Sequence, residues 1–341
     1  MSDNFKLQPI QNWLKKNNWF FYDHQLETLN QSINGYDILL IAPTGGGKTL
    51  AGFLPSLHDL INNNSPENKL HTLYISPLKA LTIDVHRNLT NPIEDQNLDI
   101  RVETRTGDTS SYKKNRQKNV PPHMLMTTPE SLALLLADIK AKEYFKSLRY
   151  LIIDEIHSLV NTKRGDLLSL NLSRLDTISP NCKRIGLSAT IKNKNSALNF
   201  LSQKKKSKII NIQEKSSPKI EILETENRVP WSGHMAGYAI TDIYKKIKRS
   251  SMTILFVNTR AQAELVFNKL WHENENNLKI AIHHGSLEKE IRRKVESLMS
   301  LGKLDCVVAT SSLDLGIDWG KVDLVVQIGS PKGIARFLQR I

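Results

Sequence analysis

The sequence predicts an α/β protein with two tandem domains, each built on a mainly parallel sheet flanked by helices. Short apolar runs rich in β-branched residues alternate with longer stretches of helical spacing, and this alternation is typical of a parallel sheet covered by helices. The alternation stops in a polar stretch, 213–234, which holds Pro218, Pro230 and Gly233. It then resumes, and a chain of 341 residues is long enough for two hydrophobic cores.

Each predicted strand is a short apolar run. In the first domain the runs are, in order, DILLIA, HTLYIS, HMLMTT, YLIIDE, RIGLSAT and KIINI. In the second domain they are TILFVN, KIAIHH, DCVVAT and LVVQIG. We therefore place the first domain at 1–215, a linker at 216–235 and the second domain at 236–341.

Charge and composition narrow the class of protein. Lys and Arg number 47 against 34 Asp and Glu, and this excess indicates either an anionic partner or simply a basic surface. Cys182 and Cys306 lie far apart, so the sequence predicts no zinc cluster or disulfide framework, and a reduced, intracellular compartment. The apolar runs are too short to span a membrane, and the N-terminus lacks the apolar region of a signal peptide.

The stretch LLIAPTGGGKTLAGF, 39–53, predicts a phosphate-binding loop between a buried strand and an apolar helix. The strict pattern begins with Gly, but Ala42 stands there, at the end of the strand and before the cradle itself. Lys48 is expected to reach the β- and γ-phosphates, and the Thr49 hydroxyl to ligate Mg²⁺. Backbone N–H groups of the glycines are expected to surround the phosphate oxygens. These glycines are Gly45, Gly46 and Gly47.

A pair of carboxylates completes the predicted site. Asp154 and Glu155 follow the apolar run LII, so they are expected at the carboxyl edge of a buried strand, where α/β sheets bind ligands. We expect Asp154 to hold Mg²⁺ and Glu155 to polarise the attacking water. Two solvated residues at a strand end are the alternative.

These motifs resemble those of superfamily 2 helicases. Asp-Glu-Ile-His at 154–157 is a DEXH box, GLSAT at 186–190 resembles motif III, and FFYDHQ, ending in Gln25, resembles the Q motif. Residues 42–49 match the form of motif I that begins with Ala. In the second domain FVNTR, HHGSL, VATSSLDLGIDWG and the final QRI resemble motifs IV, IVa, V and VI.

Further stretches resemble the Lhr-type (large helicase-related) DEXH-box proteins over nearly the whole chain. They include SPLKAL, TRTGDT, TTPESLALLL and VVQIGSPKGIARFLQRI. The resemblance implies two RecA-like domains, with ATP and Mg²⁺ as cofactors. Asp23 stands where the family usually has proline, which leaves the adenine-stacking residue open among Trp19, Phe20 and Phe21.

The resemblance also implies roles in the ATP site. Gln25 would bond the adenine edge, Thr44 would belong to the phosphate cradle, and His157 would link the ATP site to the second domain. Ser188 and Thr190 would couple nucleotide state to domain closure. Across the interdomain cleft, the nucleotide would be faced by Asp314, Gly316 and Asp318, and Gln339 would help to place the attacking water.

Nucleic acid would cross the other rim of both domains. The implied contacts are loop residues, mostly small or hydroxylated, which suit phosphate and sugar rather than bases. In the first domain they are Pro77, Lys79, Ala80, Arg105, Thr106, Gly107, Thr128, Pro129 and Glu130. In the second they are Asn258, Thr259, Arg260, His284, Gly285, Thr310 and Ser311. A metal site at His283 and His284 is not expected, because no Cys or acidic residue has ligand spacing nearby.

The implied function is an ATP-driven motor on single-stranded or tailed duplex DNA, moving 3′ to 5′, in a cytoplasmic, nucleoid-associated repair context. An RNA or RNA–DNA hybrid helicase is one alternative, and a nucleotide-gated clamp without turnover is another. Lhr-type proteins continue into a winged-helix region, whereas this sequence ends at Ile341, inside motif VI. We therefore expect a truncated motor core that binds ATP and DNA but hydrolyses ATP slowly, because an arginine just beyond Ile341 would stabilise the transition state.

Overall fold

The computed structural model divides the chain into two compact units, Met1–Glu214 and Lys215–Ile341. It describes residues 7–43, 45–62, 68–77, 79–189, 191, 193–203, 206–212, 219–225, 236–313, 322–331, 337 and 340. Each unit has its own sheet and its own hydrophobic cores.

The first unit is built on a seven-stranded sheet in which every pairing is parallel. Its strands are β1 Asp37–Ile41, β2 Thr72–Ile75, β3 Val102–Arg105, β4 Met124–Thr127, β5 Tyr150–Ile153, β6 Lys183–Ser188 and β7 Ser207–Asn211. Across the sheet they run in the order β3-β4-β2-β5-β6-β1-β7. All seven carboxyl ends therefore lie at one edge of the sheet.

Helices cover both faces of this sheet. They are α1 Gln8–Lys16, α2 Asp23–Ile33, α3 Lys48–Asn62, α4 Lys79–Asp95, α5 Ser111–Asn119, α6 Pro129–Leu136, α7 Ala141–Phe145, α8 Lys163–Ile178 and α9 Lys194–Leu201. Alternate residues of β1 enter different cores: Ile38 and Leu40 pack on one face, Leu39 and Ile41 on the other. Because both faces are covered, the strand reads as a continuous apolar run in the sequence.

The second unit has a four-stranded parallel sheet in the order β11-β8-β10-β9. The strands are β8 Thr253–Phe256, β9 Ile280–His283, β10 Cys306–Ala309 and β11 Leu324–Gln327, and the helices are α10 Ile240–Ile247, α11 Arg260–His272 and α12 Lys289–Ser300. Leu223, in the segment predicted as linker, packs against the core of this unit, and the Lys246 ammonium lies 3.3 Å from the Glu221 carboxylate.

The predicted fold class, two α/β units with parallel sheets, is confirmed. The sequence did not predict β3, and the structure shows why. It is an edge strand, and Val102, Glu103 and Thr104 are only partly buried, so it lacks the apolar run of a strand covered on both faces.

The two cysteines of the chain lie in different units. Cys182 and Cys306 are free thiols, and both are buried, one in each unit. Burial raises the pKa of the Cys306 thiol to about 12. In the part of the chain that the structure describes, every helix is too short or too polar to cross a membrane.

Candidate active site

The loop between β1 and α3 has the backbone of a phosphate cradle. Gly45 and Gly47 have φ values of +75° and +68°, in the left-handed region that favours glycine. A Cβ on Gly47 would lie 2.5 Å from Nε2 of Gln25, so a side chain at this position would displace the Gln25 amide. Ala42 is fully buried and its N–H donates to the Ser188 carbonyl at 3.1 Å, which makes it the end of the strand.

The first turn of α2 holds this loop in place. The Gln25 amide donates from Nε2 to the Gly47 carbonyl at 3.1 Å, and its Oε1 accepts the Tyr22 N–H at 2.9 Å. His24 donates from Nε2 to the Gly46 carbonyl at 2.8 Å. An amide has two N–H donors and two lone pairs, so Gln25 retains one of each for a ligand.

The Tyr22 side chain, which the sequence reasoning missed, lies against the loop at Gly47. A Cβ on Gly47 would lie 3.2 Å from the Tyr22 ring, which stacks on His24 with centroids 5.4 Å apart. Trp19 packs edge-on against Trp13, and Phe21 packs against the core. Phe20 is 81% exposed. In the sequence, Tyr22 could have been recognised by its place directly before α2. There it is the N-cap residue, and its N–H donates to the Gln25 side chain.

The two acidic residues lie at the carboxyl end of β5, where they were predicted. Asp154 accepts the Tyr74 hydroxyl at 2.5 Å through Oδ2 and the Glu155 N–H at 2.8 Å through Oδ1. Glu155 has a φ of +46°, a left-handed conformation that costs energy for a residue with a side chain. Tyr74 is a second residue that the sequence reasoning missed, because it reads as an ordinary strand residue.

Glu155 presents a buried oxygen with no donor. His157 Nδ1 lies 3.2 Å from Glu155 Oε2, but its hydrogen bond goes to Ser188 Oγ at 3.0 Å. The short distance is therefore a contact without a hydrogen bond, and within the described residues Oε2 has no hydrogen-bond partner. A buried carboxylate oxygen needs a partner, and a water molecule or a metal-bound ligand would supply one.

Burial changes the acidity of these groups. It raises the pKa of Glu155 to about 8, with the Asp154 charge adding to the shift, and it raises the pKa of Asp154. The Lys48 ammonium acts in the opposite direction on both. Burial also lowers the pKa of His157, so its ring is neutral. A carboxylate pair that resists ionisation fits a site for a divalent cation, which would favour the charged forms.

Lys48 and Thr49 occupy the first turn of α3. The Lys48 ammonium donates to the Pro43 carbonyl at 2.8 Å, within the loop that would surround a phosphate. Thr49 is the second residue of the helix. The roles of both residues stay predictions.

The predicted nucleic-acid residues of the first unit follow β2, β3 and β4, on the half of the carboxyl edge away from β1. Thr127 Oγ1 donates to the Arg105 carbonyl at 2.7 Å and ties two of these loops together. Thr128 caps α6 by accepting the Ser131 N–H. Gly107 is exposed, whereas Thr106, Thr128, Pro77 and Pro129 are buried, so contacts here fall mainly to the backbone.

The Arg105 side chain needs a different assignment from the predicted one. Its guanidinium is buried and donates to the Lys114 carbonyl at 2.7 Å and to Gln117 Oε1 at 3.4 Å. It therefore holds α5 against the sheet, and a ligand could meet only the backbone of this residue. Glu130 is exposed but forms a two-pronged ion pair with Arg164.

The second unit places its predicted nucleic-acid residues after β8, β9 and β10, at the carboxyl edge of its sheet. Five are exposed: Asn258, Thr259, Arg260, Gly285 and Ser311. The Arg260 guanidinium lies 4.0 Å from where a Cβ on Gly285 would stand, so two of these loops meet. Asn258 Nδ2 donates to the Ser330 carbonyl at 3.0 Å.

The two adjacent histidines of this unit have structural roles. His284 is buried; its Nε2 lies 2.8 Å from Glu264 Oε1, and its Nδ1 accepts the Ser286 N–H. His283 contacts Glu296 and Ser312 through its two nitrogens. Thr310 is also buried. In the described residues no three side chains of the types His, Cys, Asp and Glu form a cluster that could hold a metal ion.

Several predicted residues lie outside the described residues. They are Thr44, Thr190, Asp314, Gly316, Asp318 and Gln339, together with the side chains of Lys79 and Ala80.

Comparison with known proteins identifies the class. The family model of the DEAD/DEAH box helicase matches residues 22–198, and that of the helicase conserved C-terminal domain matches residues 238–341. The chain belongs to the DEAD/DEAH box helicase family.

Within this family the resemblance to Lhr-type proteins is confirmed. The chain is 37% identical to the ATP-dependent helicase Lhr-Core of Methanothermobacter thermautotrophicus and 36% identical to Lhr-Core protein 2 of Thermococcus barophilus. These alignments cover 97% and 98% of the chain, which spans 41% of the length of each relative.

Solved structures give the same fold. The structure of Mycobacterium smegmatis helicase Lhr bound to ssDNA and AMP-PNP is 36% identical, with a TM-score of 0.76 over 93% of this chain and 43% of that one. The helicase MrfA bound to DNA has a TM-score of 0.83 over 100% of this chain and 49% of its own, at 23% identity, which shows the fold alone.

Gly47→Ala should destabilise the first unit more than Gly45→Ala. Both substitutions place a side chain in left-handed backbone, at a cost of about 1–2 kcal/mol. Only Gly47 also faces Gln25, since apart from its chain neighbours no described residue has an atom within 4 Å of a Cβ on Gly45. Urea unfolding of the two variants gives the comparison, and equal losses of unfolding free energy would contradict the contact with Gln25.

Glu155→Gln should change how stability depends on pH. The raised pKa means that native Glu155 binds a proton which the unfolded chain releases, so the wild type loses stability as pH rises from about 5 to 8. The amide cannot ionise, and the variant should gain at least about 1 kcal/mol over the wild type across this range. Unfolding free energies at several pH values test this, with Glu143→Gln as an exposed control. Parallel curves for wild type and Glu155→Gln would refute the raised pKa.

Proposed function

We propose that this chain is the motor core of an ATP-dependent helicase that moves along single-stranded DNA. The observation that carries the proposal is the arrangement of the first unit's carboxyl edge. The phosphate loop follows β1 and the carboxylate pair follows β5, while the predicted nucleic-acid residues follow β2, β3 and β4. One edge of one sheet thus offers a triphosphate site beside a surface suited to a sugar–phosphate backbone.

The residues of the site fit the chemistry of ATP hydrolysis. Lys48 would neutralise charge on the β- and γ-phosphates, and the backbone at 45–47 would surround their oxygens. Thr49 and Asp154 would hold Mg²⁺, which neutralises phosphate charge when bound. Glu155 Oε2, which has no donor among the described residues, would accept the proton of the attacking water. Tyr74 fixes Asp154 so that its remaining lone pairs face the site.

The nucleotide base would lie beside α2. Gln25 would offer its spare N–H and lone pair to the adenine edge, which favours ATP. Tyr22, and not Trp19, Phe20 or Phe21, would stack on the base, because its ring lies against Gly47 of the loop. His157 would couple the site to Ser188, at the end of the neighbouring strand β6, through the hydrogen bond between the two side chains.

DNA as the partner is supported by similarity and by charge. The M. smegmatis Lhr structure, at 36% identity, is of a protein bound to ssDNA and AMP-PNP. The formal charge of +13 suits a polyanion. From the resemblance to Lhr-type proteins we also propose movement 3′ to 5′, action on tailed duplexes, a repair context and a nucleoid location.

The division of work between Lys48 and Glu155 can be tested by nucleotide binding and turnover. Lys48→Ala should weaken ATP binding at least tenfold, because it removes a charge placed against two phosphates. Glu155→Gln should bind ATP within threefold of wild type but turn it over about 10²–10⁴ times more slowly. Glu143→Gln controls for an exposed carboxylate. A single-turnover rate of Glu155→Gln equal to that of the wild type would contradict the role of Glu155 as proton acceptor.

Recognition of the DNA backbone predicts steep salt dependence without sequence preference. If about five phosphates are neutralised, log K should fall with log salt with a slope near −3.5, at roughly −0.7 per phosphate of a single strand. Anisotropy titrations of labelled DNA oligonucleotides of two sequences measure both properties. A matched RNA oligonucleotide decides between DNA and RNA as the preferred strand. A slope near zero, or strong preference for one sequence, would contradict a motor that tracks the backbone.

A further inference from the structure

A cleft of about 620 Å³ opens at the amino edge of the first unit's sheet. Its floor comes from the starts of four strands: His71 precedes β2, His123 precedes β4, Tyr150 begins β5 and Lys183 begins β6. The phosphate loop lies at the other edge. Strands of four to six residues separate the two edges by roughly 13–20 Å, at about 3.3 Å per residue, so the cleft is distinct from the active site.

Four basic side chains from three separate segments line this basic cleft: Lys69, Lys146 and Arg149, and Lys183. Asp59 lies 3.0 Å from Arg149 NH1 and 2.9 Å from His71 Nε2, so this carboxylate is shared between two partners. In the described part of the chain no carboxylate lies within 4.0 Å of the three lysine ammonium groups.

Helix ends do not neutralise this charge. The carboxyl ends of α3, α7 and α8 border the cleft, and each carries up to about half a negative charge. Together with Asp59 they leave about one and a half positive charges uncompensated. Burial lowers the pKa of Lys183, and although the Asp59 charge opposes this shift, the Arg149 guanidinium adds to it. The positive charge that remains uncompensated in the cleft would be balanced by a divalent anion.

A buried donor without an acceptor points to the same conclusion. His123 is 5% exposed, and its Nδ1 accepts the Arg101 N–H at 3.0 Å. Burial, together with Arg101, lowers the pKa of this ring, so it is neutral and carries its proton on Nε2. Within the described residues that Nε2–H has no hydrogen-bond partner. Buried donors are normally satisfied, and an anion in the cleft would supply an acceptor.

We propose that the basic cleft binds a phosphate group through its lysines, Arg149 and His123. Several cations that converge on a space of this size suit phosphate oxygens, from one terminal dianionic phosphate or from two adjacent monoanionic phosphodiesters, better than a single carboxylate. The phosphate could belong to a nucleic-acid backbone or to a free polyphosphate, and the two sources share this chemistry.

The test compares a variant that lacks two positive charges of the cleft with a control variant that lacks two positive charges elsewhere. Lys146→Gln/Lys183→Gln is the cleft variant. Lys248→Gln/Lys303→Gln is the control, because both lysines are exposed and lie near the amino edge of the second unit's sheet, with the same change of charge. Tripolyphosphate is titrated calorimetrically into the whole chain with saturating Mg²⁺ and AMP-PNP, so that the phosphate loop is filled. Labelled single-stranded DNA is titrated by anisotropy.

The cleft variant should bind at least one of the two probes tenfold or more weakly, and the control should stay within twofold of wild type. Loss for tripolyphosphate alone identifies a free phosphate ligand, and loss for DNA alone, or for both, identifies the strand backbone. Unchanged binding of both probes, or equal weakening in the control, overturns the proposal. If the cleft variant loses its native circular dichroism, Lys69→Gln/Lys146→Gln, with both residues exposed, takes its place with the same expectations.

Discussion

Two adjacent carboxylates buried at the end of β5 are the constraint around which the first unit's site is arranged. A pKa of about 8 for Glu155 means that its charged form costs several kcal/mol in this environment. In addition to this free-energy cost, the folded protein holds the Glu155 backbone in the left-handed conformation. It fixes Asp154 with the Tyr74 hydroxyl and with the next N–H along the chain. Such a site is stabilised by positive charge, which Lys48 supplies in part and a divalent cation would complete.

The strand order divides the carboxyl edge into two halves. β5, β6 and β1 lie together and carry the carboxylates, Ser188 and the phosphate loop, while β2, β4 and β3 carry the predicted nucleic-acid loops. The chain leaves β1 for β2, and the later strands β5 and β6 are inserted between them. Two surfaces of different chemistry can therefore share one rigid sheet, with β5 paired directly to β2 at the boundary.

The sequence was sufficient for the fold class and for most strands, because a strand covered on both faces must be apolar throughout. It also predicted where the glycine-rich loop and the carboxylate pair lie, because both directly follow apolar strands. The sequence did not predict features that depend on tertiary contacts. β3 is polar because it is an edge strand, and the direction of the Arg105 guanidinium depends on α5. Tyr22 differs from its aromatic neighbours only in what it touches.

The hydrogen bonds from α2 to the phosphate loop have a consequence for how variants are interpreted. Gln25 supports the Gly47 carbonyl with the same amide group that would recognise the base. A change at Gln25 should therefore weaken binding of every nucleoside triphosphate as well as selection among bases. A loss of ATP affinity in such a variant is not a measure of adenine recognition until GTP, CTP and UTP have been compared with it.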